Sequence, residues 1–117
     1  MARAITPEAG DQALAAWLDG TADGRQVRTA VRYTLQLLSS THPGNAVEVR
    51  VPPAGVTQAI EGPRHTRGTP PNVVETDPDT WLALATGRRT WAEAVDAGAV
   101  SASGVRADLG EVLPLRP

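Results

Sequence analysis

Apolar residues in the first part of the chain recur at a helical spacing. Thr6 and Pro7 are a typical cap and first helical residue, and Gly20 is a typical stop, so a first helix is predicted between them. A second helix is predicted to begin near Gly24, with an apolar stripe formed by Val27, Val31, Leu35 and Leu38. Another face of that helix carries three arginines, a pattern more typical of a solvated stripe than of an anion site. They are Arg25, Arg28 and Arg32.

The period of the pattern changes to two after the sequence THPGN. In AVEVRV, residues 46–51, the side chains of Val47, Val49 and Val51 point to one face and the charged residues between them point to the other. The turn PPAG and the returning segment VTQAIE complete a predicted hairpin. NVVET is a third predicted strand, and Pro70 and Pro71 before it favour a position at the edge of the sheet.

Two short helices and a last strand are predicted next. Asp77 is the expected cap and Gly87 the stop of the first helix. Thr90 and Glu93 form a capping box that starts the second, and Gly98 ends it. AVSASG is predicted as the last strand, and VRADLGEVLPL as a short helix or an extended cover. This order of helices, strands and helices predicts an α+β fold rather than a parallel sheet, in a single domain over residues 1–117.

The chain has few bulky apolar residues with which to build a core. Hydrophobic residues make up 41% of the sequence, but it has no Phe and one Met, so the three Trp must supply much of the core. Because the same side chains must also fill the interior, little material is left to line a large ligand cavity.

Charge and residue types exclude several partners and cofactors. A net charge of −2, with arginines spread along the chain, disfavours nucleic acid binding. The absence of Cys excludes disulfides and thiolate metal sites, and no metal or other cofactor is predicted. The start of the chain lacks the apolar run of a signal peptide, and the longest apolar run, Ala13–Leu18, is too short to cross a bilayer. We therefore expect a cytoplasmic protein without integral membrane contact.

The sequence contains no recognisable catalytic constellation. His42 and His65 are the available imidazole bases, and no Ser stands in the sequence context of a nucleophile. Asp77 and Asp79 lie at a predicted helix start, where capping explains them better than acid–base chemistry does. We therefore expect that the protein is not an enzyme.

Residues 77–104, DPDTWLALATGRRTWAEAVDAGAVSASG, resemble the C-terminal half of the sterol-carrier-protein fold. The matching positions are Trp81, Leu84, Gly87, Arg88, Ala94, Gly98 and Gly104. The whole chain resembles the small stand-alone bacterial members of this sterol-carrier-protein-like family. Its C-terminal half is also similar to the domain appended to mycothiol-dependent maleylpyruvate isomerases.

The resemblance implies a mostly antiparallel sheet of four to five strands, covered by helices on one face, with an apolar space between the sheet and the helices. It also implies a non-catalytic domain that binds a small lipid or another small apolar or amphipathic ligand in that space. The implied lining residues are Val47, Val49, Val51, Trp81, Leu84, Trp91, Val95, Leu113 and Leu115. For each of them the alternative is that the side chain simply packs the core. The absence of Phe and the short C-terminal segment favour a small or collapsed cavity.

Polar chemistry is concentrated in the segment EGPRHTRGTPPNVVETD, residues 61–77. Arg64 and Arg67 offer planar donors suited to a carboxylate or a phosphate, and His65 between them offers a titratable donor. These three residues are candidates for contact with an anionic head group. Alternatively, the two arginines pair with nearby carboxylates and hold the loop down.

A second function is compatible with the sequence, that of a protein-interaction or accessory module without a bound lipid. A core that is short of bulky residues can be completed by a partner. In that case an exposed apolar segment over Leu109–Leu115 would dock on a second copy, forming a homodimer, or on an enzyme partner.

Overall fold

The computed structural model describes residues 4–62 and 72–115. Along the chain, two helices are followed by three strands, two further helices and a last strand. The helices are α1 (Pro7–Leu18), α2 (Gly24–Thr41), α3 (Pro78–Thr86) and α4 (Trp91–Asp96). The strands are β1 (Val47–Val51), β2 (Gly55–Ala59), β3 (Asn72–Thr76) and β4 (Val100–Ser103). The predicted α+β class is confirmed.

The strands form one mixed sheet in the order β2-β1-β3-β4. The pair β1–β2 is the predicted antiparallel hairpin, and β3 and β4 are also antiparallel, whereas β1 and β3 are parallel, with Val49 opposite Val74. The parallel pair arises because the hairpin brings the chain back to the end of the sheet at which β1 starts, and β3 starts from that same end. The sheet is therefore four-stranded and mixed rather than fully antiparallel.

The predicted edge position of β3 is wrong. This strand lies between β1 and β4, and its ladder with β1 begins at Asn72, opposite Val47. Pro is confined to sheet edges because it cannot donate a ladder hydrogen bond, and that restriction does not reach residues that precede the ladder. Pro70 and Pro71 precede it in sequence and lie outside the described residues.

Side-chain caps start the helices, and each predicted cap is confirmed. Ser, Thr, Asp and Asn are favoured there because their side-chain oxygens accept hydrogen bonds from otherwise unpaired N–H groups. Thr6 accepts from the N–H of Ala9, Asp77 accepts from the N–H of Thr80, and Thr90 accepts from the N–H of Glu93. Helix α2 begins at Gly24 with a reciprocal capping box between Asp23 and Gln26.

The core lies between one face of the sheet and the helices. Most inward side chains of the sheet are buried together with most of the apolar stripe of α2 and the inner side of α3. They include Val47, Val49, Val51 and Val74 from the sheet, Val31, Leu35 and Leu38 from α2, and Trp81 and Leu82 from α3. The outer face instead carries an ion pair between Glu48 and Arg50, with Glu75 in register beside Arg50. Helices therefore cover one face of the sheet, as predicted.

Asn72 joins the beginning of β1 to the chain that follows β4. Its buried amide donates from Nδ2 to the carbonyl of Ala46 at 2.8 Å and accepts at Oδ1 from the N–H of Arg106 at 3.0 Å. Gly104 has a φ of 101° and lies so close that a Cβ there would overlap Oδ1 of Asn72. The C-terminal segment thus starts from a fixed point on the sheet.

The C-terminal segment covers the core without forming a regular helix. It makes one turn, in which the N–H of Leu113 donates to the carbonyl of Leu109, and then the N–H of Leu115 donates to the carbonyl of Ala85 on α3. Leu109 is fully buried, and Val112, Leu113 and Leu115 are partly buried against the core. The segment therefore covers the core, as predicted, but through turns rather than as a regular helix or an extended chain, and the hypothesis of an exposed apolar segment over Leu109–Leu115 is wrong. These side chains complete the core of their own chain.

Helix α1 packs on α2 through a contact between backbone and ring. A Cβ added to Gly10 would overlap the ring of Tyr33, so only Gly allows this approach. The other end of α1 is held to α3, because Nε1 of Trp17 donates to Asp79 at 2.9 Å and the guanidinium of Arg88 lies 5.4 Å from the Trp17 ring. The close contact of α1 with α2 depends on the missing side chain at position 10.

We expect Gly10→Ala to lower the free energy of unfolding, although Ala favours helices. The forced overlap with Tyr33 costs about 1–3 kcal/mol, more than the gain of about 1 kcal/mol in helix propensity. Gly24→Ala is the matched control, because its Cβ would lie 3.5 Å from the nearest atom, in Arg28. That control is expected to be neutral or slightly stabilising. Urea unfolding measures both variants, and equal stability of the two would contradict the close contact.

Candidate functional site

Five of the residues implied to line a ligand space are part of the packed interior. Val47, Val49, Val51 and Trp81 are 0% exposed, and Leu84 is 1% exposed. Nε1 of Trp81 donates to Oγ1 of Thr34 at 2.8 Å, so the one polar atom of this side chain is also paired inside the protein. These positions match the alternative interpretation, in which the side chains pack the core.

The remaining apolar candidates lie at the edge of the helical layer. Trp91, Leu113 and Leu115 are partly buried and pack against the core. Val95 is 44% exposed, and the structure does not bring it together with the others. The reason is helical geometry. Ala94 is the buried residue of the short helix α4, and the next residue, Val95, points about 100° away from it.

Trp91 and Leu113 share an open cleft of about 500 Å³ between the α3–α4 junction and the C-terminal segment. We call it the C-terminal cleft. Its lining residues are Gly87, Arg89, Thr90, Trp91, Ala92, Asp108, Gly110, Glu111, Leu113 and Pro114. It is the place where the structure unites two of the predicted lining residues at a surface that a ligand can reach.

The walls of the C-terminal cleft are held in place by close approaches at two glycines and by one backbone hydrogen bond. Gly87 ends α3 with a φ of 84°, and a Cβ there would lie 3.5 Å from the ring of Pro114. A Cβ on Gly110 would lie 3.3 Å from Cδ1 of Trp91. The bond from the N–H of Leu115 to α3, at 3.0 Å, holds the segment beside the junction. Contacts between the α3–α4 junction and the C-terminal segment therefore set both walls.

Polar groups surround the apolar floor of the C-terminal cleft. Arg89 supplies a cation, and Asp108 and Glu111 supply carboxylates, of which Asp108 accepts a hydrogen bond from the N–H of Gly110 at 2.7 Å. The hydroxyl of Thr90 is engaged as the cap of α4. An apolar floor with a charged rim suits the binding of an amphipathic molecule.

The capping box of α4 also keeps Glu93, next to the C-terminal cleft, negatively charged. Glu93 accepts from the backbone N–H of Thr90 at 2.8 Å. That hydrogen bond, the side chain of Thr90 and the positive charge of Arg89 hold the pKa of Glu93 below its ordinary value. Glu93 is therefore a fixed anion near neutral pH and stabilises the start of α4.

Asp77 caps α3, as predicted, whereas Asp79 has a structural role other than capping. Burial tends to raise the pKa of Asp77, but the hydrogen bonds from the hydroxyl and the N–H of Thr80 outweigh it and leave the pKa lowered. A general acid at neutral pH needs a shift in the opposite direction. Asp79 accepts from Nε1 of Trp17, and so it joins α3 to α1.

The polar loop residues Arg64, His65 and Arg67 lie outside the described residues, and their role stays a prediction. His42 lies at the helix exit, as predicted, and caps α2 through its backbone N–H. Within residues 4–62 and 72–115, no three His, Cys, Asp or Glu side chains are grouped to hold a metal ion. In the same part of the chain, no helix combines the length and the apolar character needed to cross a membrane.

A second cleft, of about 430 Å³, was not predicted from the sequence. It lies between α2, β2 and the start of the described chain, and we call it the α2–β2 cleft. One wall is fixed by Gln36, whose side-chain amide exchanges two hydrogen bonds with the backbone of Ile5, at 2.8 and 2.9 Å. The signal in the sequence is a polar Gln36 between Leu35 and Leu37, and it does not specify which segment the side chain binds.

Comparison with known proteins identifies one family. The sequence model of the family described as "Bacterial SCP ortholog" matches residues 23–115, which run from the cap of α2 into the C-terminal segment. Helix α1 precedes the matched region. No curated protein matches the sequence.

We expect Trp81→Phe to reduce the free energy of unfolding by about 1–3 kcal/mol, because it leaves the buried Thr34 hydroxyl without its donor. Adding Thr34→Val removes the acceptor that has lost its donor, so the double variant should lose less than the sum of the two single losses. Urea unfolding followed by far-UV circular dichroism measures the three variants. Strict additivity would mean that the Trp81–Thr34 bond contributes nothing beyond packing.

Proposed function

Because the chain belongs to the family described as "Bacterial SCP ortholog", we propose that it is a non-catalytic, sterol-carrier-like domain that binds a small lipid or another small amphipathic ligand. The observation that carries the proposal is the C-terminal cleft, which joins the apolar surfaces of Trp91 and Leu113 to a charged rim. Family membership suggests a lipid-carrier-like domain. The position and size of the ligand site are our inference.

The packing of the interior favours a site in the cleft over one deep between sheet and helices. A ligand between Val49 and Trp81 would have to displace side chains that are 0% exposed, and native cores hold few voids larger than a water molecule. The cleft volume of about 500 Å³ falls within the range of about 300–1,000 Å³ that is usual for small-molecule sites. The proposed ligand is therefore a small amphipath with a short apolar chain.

An interaction module without a lipid is the second candidate function. It is favoured by exposed apolar side chains next to both edges of the sheet, where Val56 in β2 is 59% exposed and Val105 after β4 is 100% exposed. The segment over Leu109–Leu115 no longer supports it, since Leu109 is 0% exposed and the segment packs on its own core. Both functions predict an absence of catalysis.

We expect Leu113→Ala to weaken the binding of dodecanoate about 10-fold, because the shorter side chain leaves part of the apolar chain in contact with water. Trp91→Ala should weaken it at least as much. Val105→Ala is the matched control, because this side chain is fully exposed and lies outside the cleft. Isothermal titration calorimetry measures the affinities, and circular dichroism verifies the fold of each variant.

Native mass spectrometry of the gently purified protein gives an independent test. A reproducible adduct that is lost on organic extraction would support the carrier, and analysis of the extract would identify the ligand class. Dodecanoate affinity that is equal in the Leu113→Ala and Val105→Ala variants would contradict the cleft site. A clean apo mass together with no dodecanoate binding would contradict the carrier function itself and favour the interaction module.

The polar loop is proposed to contact the head group of an acidic ligand. We therefore expect the double variant Arg64→Ala/Arg67→Ala to bind dodecanoate several-fold more weakly, with less change for the neutral dodecanol. The double variant Arg25→Ala/Arg28→Ala removes the same charge from the exposed face of α2, outside the C-terminal cleft, and is the control for net charge. Calorimetry with both ligands measures the difference. Equal weakening for the acid and the alcohol would exclude the head-group role.

A further inference from the structure

Strand β2 is a sheet edge without the usual protection against pairing. It lies at the end of the strand order, so the backbone groups on the side away from β1 have no strand partner among the described residues. Natural edges are commonly protected by Lys, Pro or a bulge, and the sequence of β2, GVTQA, contains neither residue and no charge. Its register with β1 is continuous from Gly55 to Ala59. This edge can accept a further strand.

The α2–β2 cleft lies next to this open edge. Gly55 and Thr57 of β2 point to the inner face of the sheet, because they are in register with the buried Val51 and Val49. A Cβ on Gly55 would lie 3.3 Å from Leu35 Cδ1, so α2 lies against the inner side of the strand. Alternate side chains of an added strand would point to the same inner face and enter the cleft, whose walls include Ile5 and Leu35.

A row of exposed arginines leads into the same cleft. Arg25, Arg28 and Arg32, which we call the arginine stripe, are exposed, and within the described part of the chain no carboxylate forms an ion pair with them. Arg32 lines the cleft, and a Cβ on Gly55 would lie 3.4 Å from its Cγ. The unpaired positive charge favours a partner that carries carboxylates.

The spacing of the arginine stripe matches an extended chain that continues past the start of β2. Helix α2 and strand β2 run in the same direction, since Arg32 lies beside Gly55 and the carbonyl of His42 accepts from the N–H of Ile60 at the other end. The helical rise places Arg25 about 10 Å beyond Arg32. An extended segment covers that distance in about three residues. Because side chains of an extended segment alternate between faces, one of two successive carboxylates on the overhang faces the inner side and comes within reach of the stripe.

We propose that the β2 edge, the α2–β2 cleft and the arginine stripe bind an extended acidic segment of another protein as an added antiparallel strand. Backbone hydrogen bonds to β2 supply affinity, the cleft holds apolar side chains of the segment, and the arginines select carboxylates at its end. Strand β2 of a second copy fits less well, because residues 55–59 carry no carboxylate to meet the stripe. This surface is separate from the proposed ligand site.

The probe is the fluorescein-labelled, C-terminally amidated peptide VTVTVEE, whose acidic end projects past Gly55 when the peptide is antiparallel to β2. Fluorescence anisotropy measures its binding to the full chain. We expect VTVTVQQ, or the double variant Arg28→Gln/Arg32→Gln, to weaken binding about 10-fold. Arg106→Gln is the charge control, because this arginine is exposed and its side chain lies near Gly62, past the end of β2 that is far from the arginine stripe. It should leave the affinity unchanged.

Backbone methylation of the peptide separates strand addition from simple charge attraction. Two isomers of VTVTVEE carry N-methyl groups on alternate residues, either on the side that faces β2 or on the side that faces away. Side chains and charge are the same in both isomers. We expect the isomer that is methylated on the side facing β2 to lose at least 10-fold in affinity, because it cannot form the ladder hydrogen bonds, and the other isomer to bind like the parent. Hydrogen exchange at residues 55–59 should slow on binding of the parent peptide.

Several results would overturn the proposal. These are the absence of saturable binding of VTVTVEE at millimolar protein, equal binding of both methylated isomers, or equal effects of Arg106→Gln and Arg28→Gln/Arg32→Gln. Sedimentation of the free chain as a dimer that protects residues 55–59 from exchange would assign the edge to a second copy. Binding to phosphatidylglycerol vesicles through the arginine stripe, without binding of the peptide, would assign the stripe to a lipid surface.

Discussion

The hydrogen bond between Trp81 and Thr34 is the interaction on which the arrangement of helices depends. The chain has no Phe, and of its three Trp residues Trp81 is the one that is fully buried, where its indole N–H needs an acceptor. Thr34 on α2 provides that acceptor at 2.8 Å while its own hydroxyl donates to the carbonyl of Ala30 in its helix. The bond fixes α3 against α2, and the end of α3 then determines where the C-terminal cleft forms.

The sequence predicted local structure well because the signals for local structure are themselves local. Caps such as Thr6 and Asp77 act within one helical turn, and the alternation in AVEVRV depends only on neighbouring residues. The parallel pairing of β3 with β1 was not predictable in this way, because it depends on where the chain re-enters the sheet after residue 62. The edge position that Pro70 and Pro71 predicted for β3 was wrong because the restriction on Pro applies only inside a ladder, and the ladder starts at Asn72.

The candidate site was predictable in part. Trp91 and Leu113 were named from the family resemblance, but burial separates them from Val49 and Trp81, and helical phase separates Val95 from both groups. Periodicity marks a residue as apolar on one face and cannot distinguish a core position from the wall of a cleft. Asn72 and Gly104 fix the C-terminal segment through a contact across the sheet, which no short-range pattern reports.

The packed interior also determines how the two proposed surfaces relate. The C-terminal cleft is formed by α4 and the segment that follows β4, whereas the α2–β2 cleft lies at the opposite edge of the sheet. Between them lie side chains such as Val49 and Trp81 that are fully buried, and native cores hold few voids into which such side chains can move. Coupling between distant sites requires an element with two arrangements that both sites bias. A core packed in this way offers no such element, so occupancy of one surface should leave the affinity of the other unchanged.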